Sequence, residues 1–469
     1  MNTLVMKFGG SSIGTTDALT QVLSIVLHES EQWNQLVLVV SALEGVTDGL
    51  IEAAHLAQLG QQRGYRRIVA NLRTRHLALI DELPLGTTER AVLYADIDRL
   101  LFEMLDIYQG MAQITSKVTP EAVDATIGVG EKLAARIVAA LLRQNNLRSV
   151  ALDTTSLIVT DDVPGNATAN LALTRAQIAQ NLLPLLERKI VPVVTGFIGA
   201  TSTGKPTTLG RGGSDYTASV MAVCTNASEI WIWTDVDGMM TADPRDFPEA
   251  RVIPILSYDE AAEMAYFGAR VLHTRMISPL REDKIALRVK NVYKPQQVGT
   301  LIQDTSGPRS QALKAIAYIP GLAVEAKRTG EGVSTQGIYA KAAAAAPNTQ
   351  IDLITSSQSA THSIACFLIP TTAGSDAIHT TRLALEENLH ASAETQSWTV
   401  KNITFITAIS ATIDNWSATT AVLLKALSNI RLLALSHGPS NSSLTMVVEN
   451  KDAEDVLHAV HSFIINPNS

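Results

Sequence analysis

The chain has 469 residues, 46% hydrophobic and 17% charged, with a net charge of −8; it is too long for one core and too apolar to be disordered, so two or more folded domains are expected. The acidic balance excludes a general nucleic-acid or anionic-membrane partner, so any attraction for phosphate must be local. Cys224 and Cys366 lie in apolar segments without metal-ligand spacing, no apolar run reaches membrane-spanning length, and the start MNTLVMKFGG lacks a signal-peptide core, which together predict reduced core thiols and a cytoplasmic protein.

In chain order, residues 3–8 (TLVMKF) read as a short strand running into Gly9, Gly10, Ser11 and Ser12. A loop of this kind cradles phosphates with its N–H groups, and Lys7 at the strand end can neutralise charge on a transferring phosphoryl group. The GxxxxGK[ST] spacing of a Walker A loop is absent, and alone the same lysine fits a solvated edge. Residues 36–43, 190–197 and 229–233 are short continuous apolar runs separated by helical stretches, the pattern of a mostly parallel sheet covered on both faces. Residues 50–115 read as a long helical region whose arginines form a solvated face. Glu131 falls in the first turn of a helix, where a glutamate favours the dipole with or without a chemical role.

Residues 207–220 (TTLGRGGSDYTASV) hold the densest signal. Gly210, Gly212 and Gly213 permit positive φ and close approach of a ligand. Ser214 and Asp215 open a helix whose first N–H groups attract anions, and Arg211 adds a planar fork suited to a carboxylate. The same GGSD also fits a glycine turn capped by Ser214 or Asp215. Residues 230–245 (IWIWTDVDGMMTADPR) form an apolar strand ending at Thr234 and Asp235. Because ligands collect at the carboxyl ends of strands in open α/β sheets, Thr234, Asp235, Asp243 and Arg245 would meet a nucleotide's ribose and phosphates; an ordinary turn-rich loop is the other reading. His273, in VLHTR, reads as a packed helix histidine. The polar stretch at 304–310 (DTSGPRS) suits a domain link. Beyond it two strand–helix–strand–strand units follow each other, a weak internal repeat.

KFGGSS at 7–12, VVSALEGVTDGL at 39–50, VGEKLAARI at 129–137, VTGFIGATSTGKPTTLGRGGSDYTA at 194–218, WTDVDGMMTADPR at 233–245 and LSYDEAAEMAYFGARVLHTR at 256–275 together resemble the amino-acid kinase superfamily and, within it, aspartokinase. The resemblance implies an α/β fold, with a mostly parallel sheet sandwiched by helices followed by two βαββαβ-type ACT domains. The implied boundaries are 1–305 for the catalytic domain, 312–390 and 391–469 for the ACT domains, with the second ACT domain inserted into the first, and the C-terminal segment returning to it, as an alternative. It implies transfer of phosphate from ATP, with Mg2+, to the side-chain carboxylate of L-aspartate. On this reading Lys7 and Asp215 are catalytic. Ser41, Thr47, Glu131, Thr208, Arg211, Gly212, Gly213 and Ser214 bind aspartate, with Glu131 facing its ammonium group and Arg211 a carboxylate. Lys7, Phe8, Gly9, Gly10, Thr234, Asp235, Met240, Asp243, Arg245, Arg270 and Val271 bind ATP. A homodimer through the ACT domains and an amino-acid effector are further implications, with neither nucleic acid nor membrane as a partner. The rivals are another amino-acid kinase, of glutamate or acetylglutamate type, and a non-catalytic amino-acid sensor; a sensor has no use for Lys7, Arg211 and Asp215 together.

Some positions depart from the family pattern. Met240 replaces a frequent tyrosine, Arg270 a frequent lysine and Thr274 a frequent proline. The strands expected to hold an effector read TSSQSATHSI at 355–364 and LSHGPSNSSL at 435–444 and lack a carboxylate for its ammonium group, so weakened or altered feedback by lysine or threonine is expected.

Overall fold

The computed structural model describes residues 2–113, 119–269, 271–305, 313–328, 335–345, 351–369, 377–390, 396–411, 413 and 416–466. They form two compact units, one of residues 1–239 and 272–304, the other of 240–271 and 305–469.

In the first unit the apolar runs become strands because Val, Ile and Leu fit a sheet buried on both faces. Seven strands line up in the order Ser149–Leu152, Val191–Thr195, Gln35–Val40, Thr3–Phe8, Glu229–Thr234, Ala286–Asn291 and Thr300–Gln303. The first six run parallel and the last is antiparallel. Thr3–Phe8 is central, and Lys7 stands between Val39 and Ile232 of its neighbours. This replaces the solvated-edge reading of Lys7. Alternation sends Leu4, Met6 and Phe8 into one core, where Phe8 stacks on Trp233 at 6.0 Å, and sends Lys7 to the opposite face. The loops after Phe8, Val40, Thr195 and Thr234 all open at the carboxyl ends of their strands, where such sheets bind ligands.

Residues 50–113 of the expected helical region lie in helices Val46–Gln58, Gln62–Glu82 and Thr87–Gln113 and the short turns between them. His76 is fully buried there, and its Nδ1 lies 2.7 Å from the Leu72 carbonyl, so Nδ1 carries the proton and Nε2 has no partner. Burial pushes its pKa down from 6.5 to about 4. A folded-state pKa below the unfolded one means that the neutral ring is compatible with folding and the charged ring is not. Stability is therefore complete above about 6.5 and falls with pH, by about 3 kcal/mol near pH 4 from this group alone. Denaturant melts should show His76→Leu losing less stability than the parent between pH 7 and pH 4; equal losses would refute the assignment.

The second unit is built on one antiparallel sheet in the order Asp352–Gln358, His362–Leu368, Ala315–Arg328, Gln396–Ile409, Ser443–Glu449 and Ala434–His437. Its two long strands, each 14 residues, pair along their whole length. Each serves two modules in turn. Residues 321–327 pair with His362–Leu368, whereas 403–409 pair with Ser443–Glu449. The first βαββαβ module thus spans residues 321–402, and residues 315–320 supply the fourth strand of the second. Separate cores confirm the division: Leu322, Val324, Phe367 and Trp398 in one, Ile316, Ile406, Met446 and Val460 in the other. The chain thus begins one module at 315–320, leaves it for the nested module at 321–402 and returns to it from 403 onward, so the modules do not part at residue 390. The hand-over falls at Pro320 and Gly321; a Cβ on Gly321 would come within 2.5 Å of the Phe367 carbonyl oxygen and the Phe405 ring.

The segment 240–271 also departs from the expected boundary at 305. Ala242 and Phe247 bury into the same core as Leu313, Ile316 and Trp416. Glu260, fully buried, caps its own helix with Ser257, accepts from Ala411 N–H at 2.8 Å and pairs with Lys314 at 3.1 Å. Cys224 and Cys366 are free and buried, and burial raises their thiols to about 11 and about 12. Among the described residues no helix is long and apolar enough to cross a membrane.

Candidate active site

Lys7 Nζ lies 2.6 Å from Asp215 Oδ1, with both side chains about one-seventh exposed (13% and 14%). Asp215 reaches it from the first turn of helix Gly213–Cys224, where a carboxylate also suits the helix dipole. The cap of that helix is Gly212, in the left-handed region at φ 69°, with no side-chain cap bond. Neither Ser214 nor Asp215 is the cap, which leaves the Asp215 carboxylate for the lysine. A Cβ on Gly212 would collide with the His273 ring at 2.3 Å, so only glycine fits under that imidazole.

Ala42 is the neighbour that joins the other parts. A Cβ on Gly10 would stand 2.7 Å from the Ala42 carbonyl oxygen, and one on Gly130 would stand 2.7 Å from the Ala42 methyl. The glycine loop and the start of helix Val129–Gln144 therefore close on the same turn, which begins at Ser41, whose N–H donates to the Phe8 carbonyl at 3.2 Å. Gly9 lies over the lysine, with Nζ 3.8 Å from its Cβ position. Gly196, bonded through its N–H to Val40, packs on Ser214; a Cβ there would meet Ser214 Oγ at 2.5 Å. Thr47, half-buried, follows in the first turn of helix Val46–Gln58.

Glu131 is 3% exposed, and its Oε2 has no hydrogen-bond partner. Burial raises its pKa to about 7, against the opposing pull of the Glu131 and Ala42 N–H groups. A buried carboxylate with a free oxygen is costly unless a cation completes it. Arg211, by contrast, is exposed and forms no ion pair or hydrogen bond among the described residues. The site therefore offers an internal anion for an ammonium group, an external fork for a carboxylate, and a lysine beside a glycine loop for phosphate.

Other expected residues have different surroundings. The Thr208 hydroxyl donates to Asp124 Oδ1 at 2.9 Å and its N–H donates to Oδ2 at 3.1 Å, so Thr208 is a strut for the glycine loop and its hydroxyl proton is already committed. Phe8 is fully buried in the core, leaving only its backbone at the site. Of the nucleotide set, Lys7, Phe8, Gly9, Gly10, Thr234 and Asp235 belong to the first unit, and Met240, Asp243, Arg245 and Val271 to the second. Arg270 lies outside the described residues. Thr234 Oγ1 donates to Asp235 at 3.1 Å, and Arg245 Nε to Asp243 at 3.0 Å, which holds the Arg245 guanidinium charged.

Sequence reasoning missed three features. Asp124, buried under the glycine loop, also accepts from Gly165 N–H at 2.9 Å; an acid in the middle of a short helix, beyond the first turn that Glu121 already serves, was its signal. Asn291 donates to Asp237 at 2.6 Å, and Lys294 pairs with that aspartate at 2.8 Å, fixing the loop after Thr234. His273, given no role from sequence, caps helix Thr274–Glu282 and covers Gly212.

Residues 2–291 match the amino acid kinase family. The chain is 30% identical over 471 residues to aspartokinase 1 of Arabidopsis thaliana, covering 98% of this chain and 79% of that protein. It is also 30% identical over 474 residues to the bifunctional aspartokinase/homoserine dehydrogenase 1 of the same plant, covering 98% of this chain; it spans about half (50%) of that relative's length. Crystal structures of Escherichia coli aspartokinase III superpose on it. The complex with aspartate and ADP has a TM-score of 0.79 at 27% identity, covering 99% of this chain and 100% of that one. The complex with lysine and aspartate has a TM-score of 0.80 at 26% identity, covering 98% and 99%.

Proposed function

The chain belongs to the amino acid kinase family, in its aspartokinase branch, and we propose that it transfers the γ-phosphoryl group of ATP to the side-chain carboxylate of L-aspartate, giving ADP and 4-phospho-L-aspartate. The observation that carries this reading is Glu131, a buried carboxylate with an unpartnered oxygen that an α-ammonium group would complete. Arg211 takes the α-carboxylate in its fork. The side-chain carboxylate is then left to face Lys7 and the glycine loop.

The reaction asks little of a base. A carboxylate oxygen attacks the γ-phosphorus, the bond to the β-phosphate oxygen breaks, and no proton has to move. Positioning and charge neutralisation therefore supply most of the acceleration. Lys7 lies against the transferring group, the N–H groups at the start of helix Gly213–Cys224 add partial positive charge, and Asp215 aims Lys7. Among the described residues no group of three or more His, Cys, Asp or Glu could hold a metal. The magnesium expected with ATP would be carried on phosphate oxygens, where it neutralises charge, with Asp215 the carboxylate at hand on the protein side. A cytoplasmic homodimer joined through the ACT-like modules completes the proposal, with weak feedback by lysine or threonine because strands Asp352–Gln358 and Ala434–His437 bring no carboxylate beyond Asp352.

Hydroxylamine trapping tests the reading. Acyl phosphate formed from ATP, magnesium and L-aspartate, L-glutamate or N-acetylglutamate becomes a coloured hydroxamate. Aspartyl hydroxamate alone is expected; product from another acid reassigns the acceptor, and nucleotide binding without product makes the chain a sensor. Inhibition by sub-millimolar lysine or threonine would overturn the weak-feedback part.

A further inference from the structure

We propose that Arg275 is the positioning residue of the acceptor loop, fixing residues 207–213 in the substrate-free protein so that Arg211 and the helix behind it are already in place; this deepens the aspartate reading above and rests on it. Arg275 sits in the first turn of helix Thr274–Glu282 and is half-buried. Its guanidinium joins two separate pieces of chain, residues 166–167 and the loop at Leu209. One nitrogen donates to Asn166 Oδ1 at 2.8 Å and to the Leu209 carbonyl; another donates to the Ala167 carbonyl at 2.8 Å. Its carbon lies 4.7 Å over the Tyr216 ring, on the helix that carries Asp215. Only a rigid fork with several donors meets three acceptors and a ring face at once, which a lysine cannot do.

The rest of this backbone is held by the Thr208–Asp124 strut, by Leu209 N–H on the Phe197 carbonyl at 2.8 Å and by Gly213 N–H on the Gly210 carbonyl at 2.9 Å, none of which ties Gly210 or Gly212 to the 273–275 turn. Gly210 and Gly212 both have positive φ, at 74° and 69°, and the exposed Arg211 stands between them. Gly210 packs against the Asn166 segment, where a Cβ would be 2.8 Å from Asn166 Oδ1. Gly212 packs under His273, whose Nδ1 accepts the N–H of Arg275 itself at 3.3 Å. One turn, 273–275, therefore holds the loop at both ends, by a ring at Gly212 and a guanidinium at Leu209. A loop ordered beforehand spares the substrate that ordering cost, and the benefit falls on the ligand that the loop grips.

The test pairs kinetics with amide hydrogen exchange on the full chain, using Arg275→Ala and Arg275→Lys. KM for L-aspartate is expected to rise roughly tenfold to a hundredfold in both, while KM for ATP stays within about twofold and kcat at saturating aspartate within a few-fold. Arg275→Lys retains the charge over Tyr216 yet should stay nearer the alanine variant. In the substrate-free protein, amides of residues 207–213 should exchange at least about tenfold faster in both variants. An unchanged KM for aspartate, an equal rise in both KM values, or unaltered exchange in this loop overturns the inference. Should the parent protein form no aspartyl hydroxamate, the exchange measurement still decides the role of Arg275, and that failure belongs to the reading of the substrate.

Discussion

Lys7→Ala is expected to lower kcat by about a hundredfold or more, the scale of a lost transition-state donor, with the fold retained. The sheet fixes the lysine: it lies on the central strand, between Val39 and Ile232, and its ammonium is held 2.6 Å from Asp215. Removing it strands Asp215, but that carboxylate stays in the first turn of a helix, whose dipole supports its charge. Asp215→Asn keeps the size and deletes the charge, freeing Lys7 to swing away from the phosphate, and a loss of similar size is expected. Because the two act as one unit, the double variant should cost little more than either alone. Turnover at saturating substrates, with thermal melts to confirm folding, decides the matter. A near-normal kcat in either single variant defeats the assignment, and additive losses in the double would mean that the pair does not work together.

Why Lys7 was legible in the sequence, and other features were not, has a physical basis. A strand with a continuous run of apolar residues is buried on both faces, so TLVMKF and EIWIW declared themselves, and the glycine loop directly after Phe8 marked the end of the strand that matters. The exchange of partners at Gly321 and Ile403 had no local mark of that kind. Ala315–Arg328 and Gln396–Ile409 each read as one strand, and which half pairs with which neighbour is decided by contacts more than 30 residues away. The excursion of 240–271 into the second unit was hidden for the same reason, since Phe247 is an unremarkable aromatic until Leu313 and Trp416 close over it. At the site, the bond from the Thr208 hydroxyl to Asp124 carried no sequence mark, and the alternative reading of Ser214 or Asp215 as a cap gives way to Gly212, whose αL conformation fills that position.

Glu131→Gln should make the protein more stable and a worse enzyme. Burial raises the Glu131 pKa from 4.5 to about 7, so the folded chain holds a proton on this carboxyl that the unfolded chain has already released. The contribution to stability is complete below about 4.5 and is lost as pH rises through about 7, a deficit of about 3 kcal/mol near pH 8. Glutamine carries no charge to desolvate, so the variant should melt higher than the parent near pH 8, with the gap closing towards pH 5. Its amide still leaves polar atoms in the same enclosure, which keeps the gain below the full figure. An ammonium group bound to Glu131 would recover the parent's deficit on substrate binding. The variant loses that partner, and KM for aspartate should rise about a hundredfold, as for one member of a buried charge pair. The parent's KM should also worsen below about pH 7, where a proton competes with the ammonium group for the same oxygen, while the glutamine variant shows no such rise. An unchanged KM would remove Glu131 from the substrate site. A lower melting temperature near pH 8 would mean that another group already neutralises it.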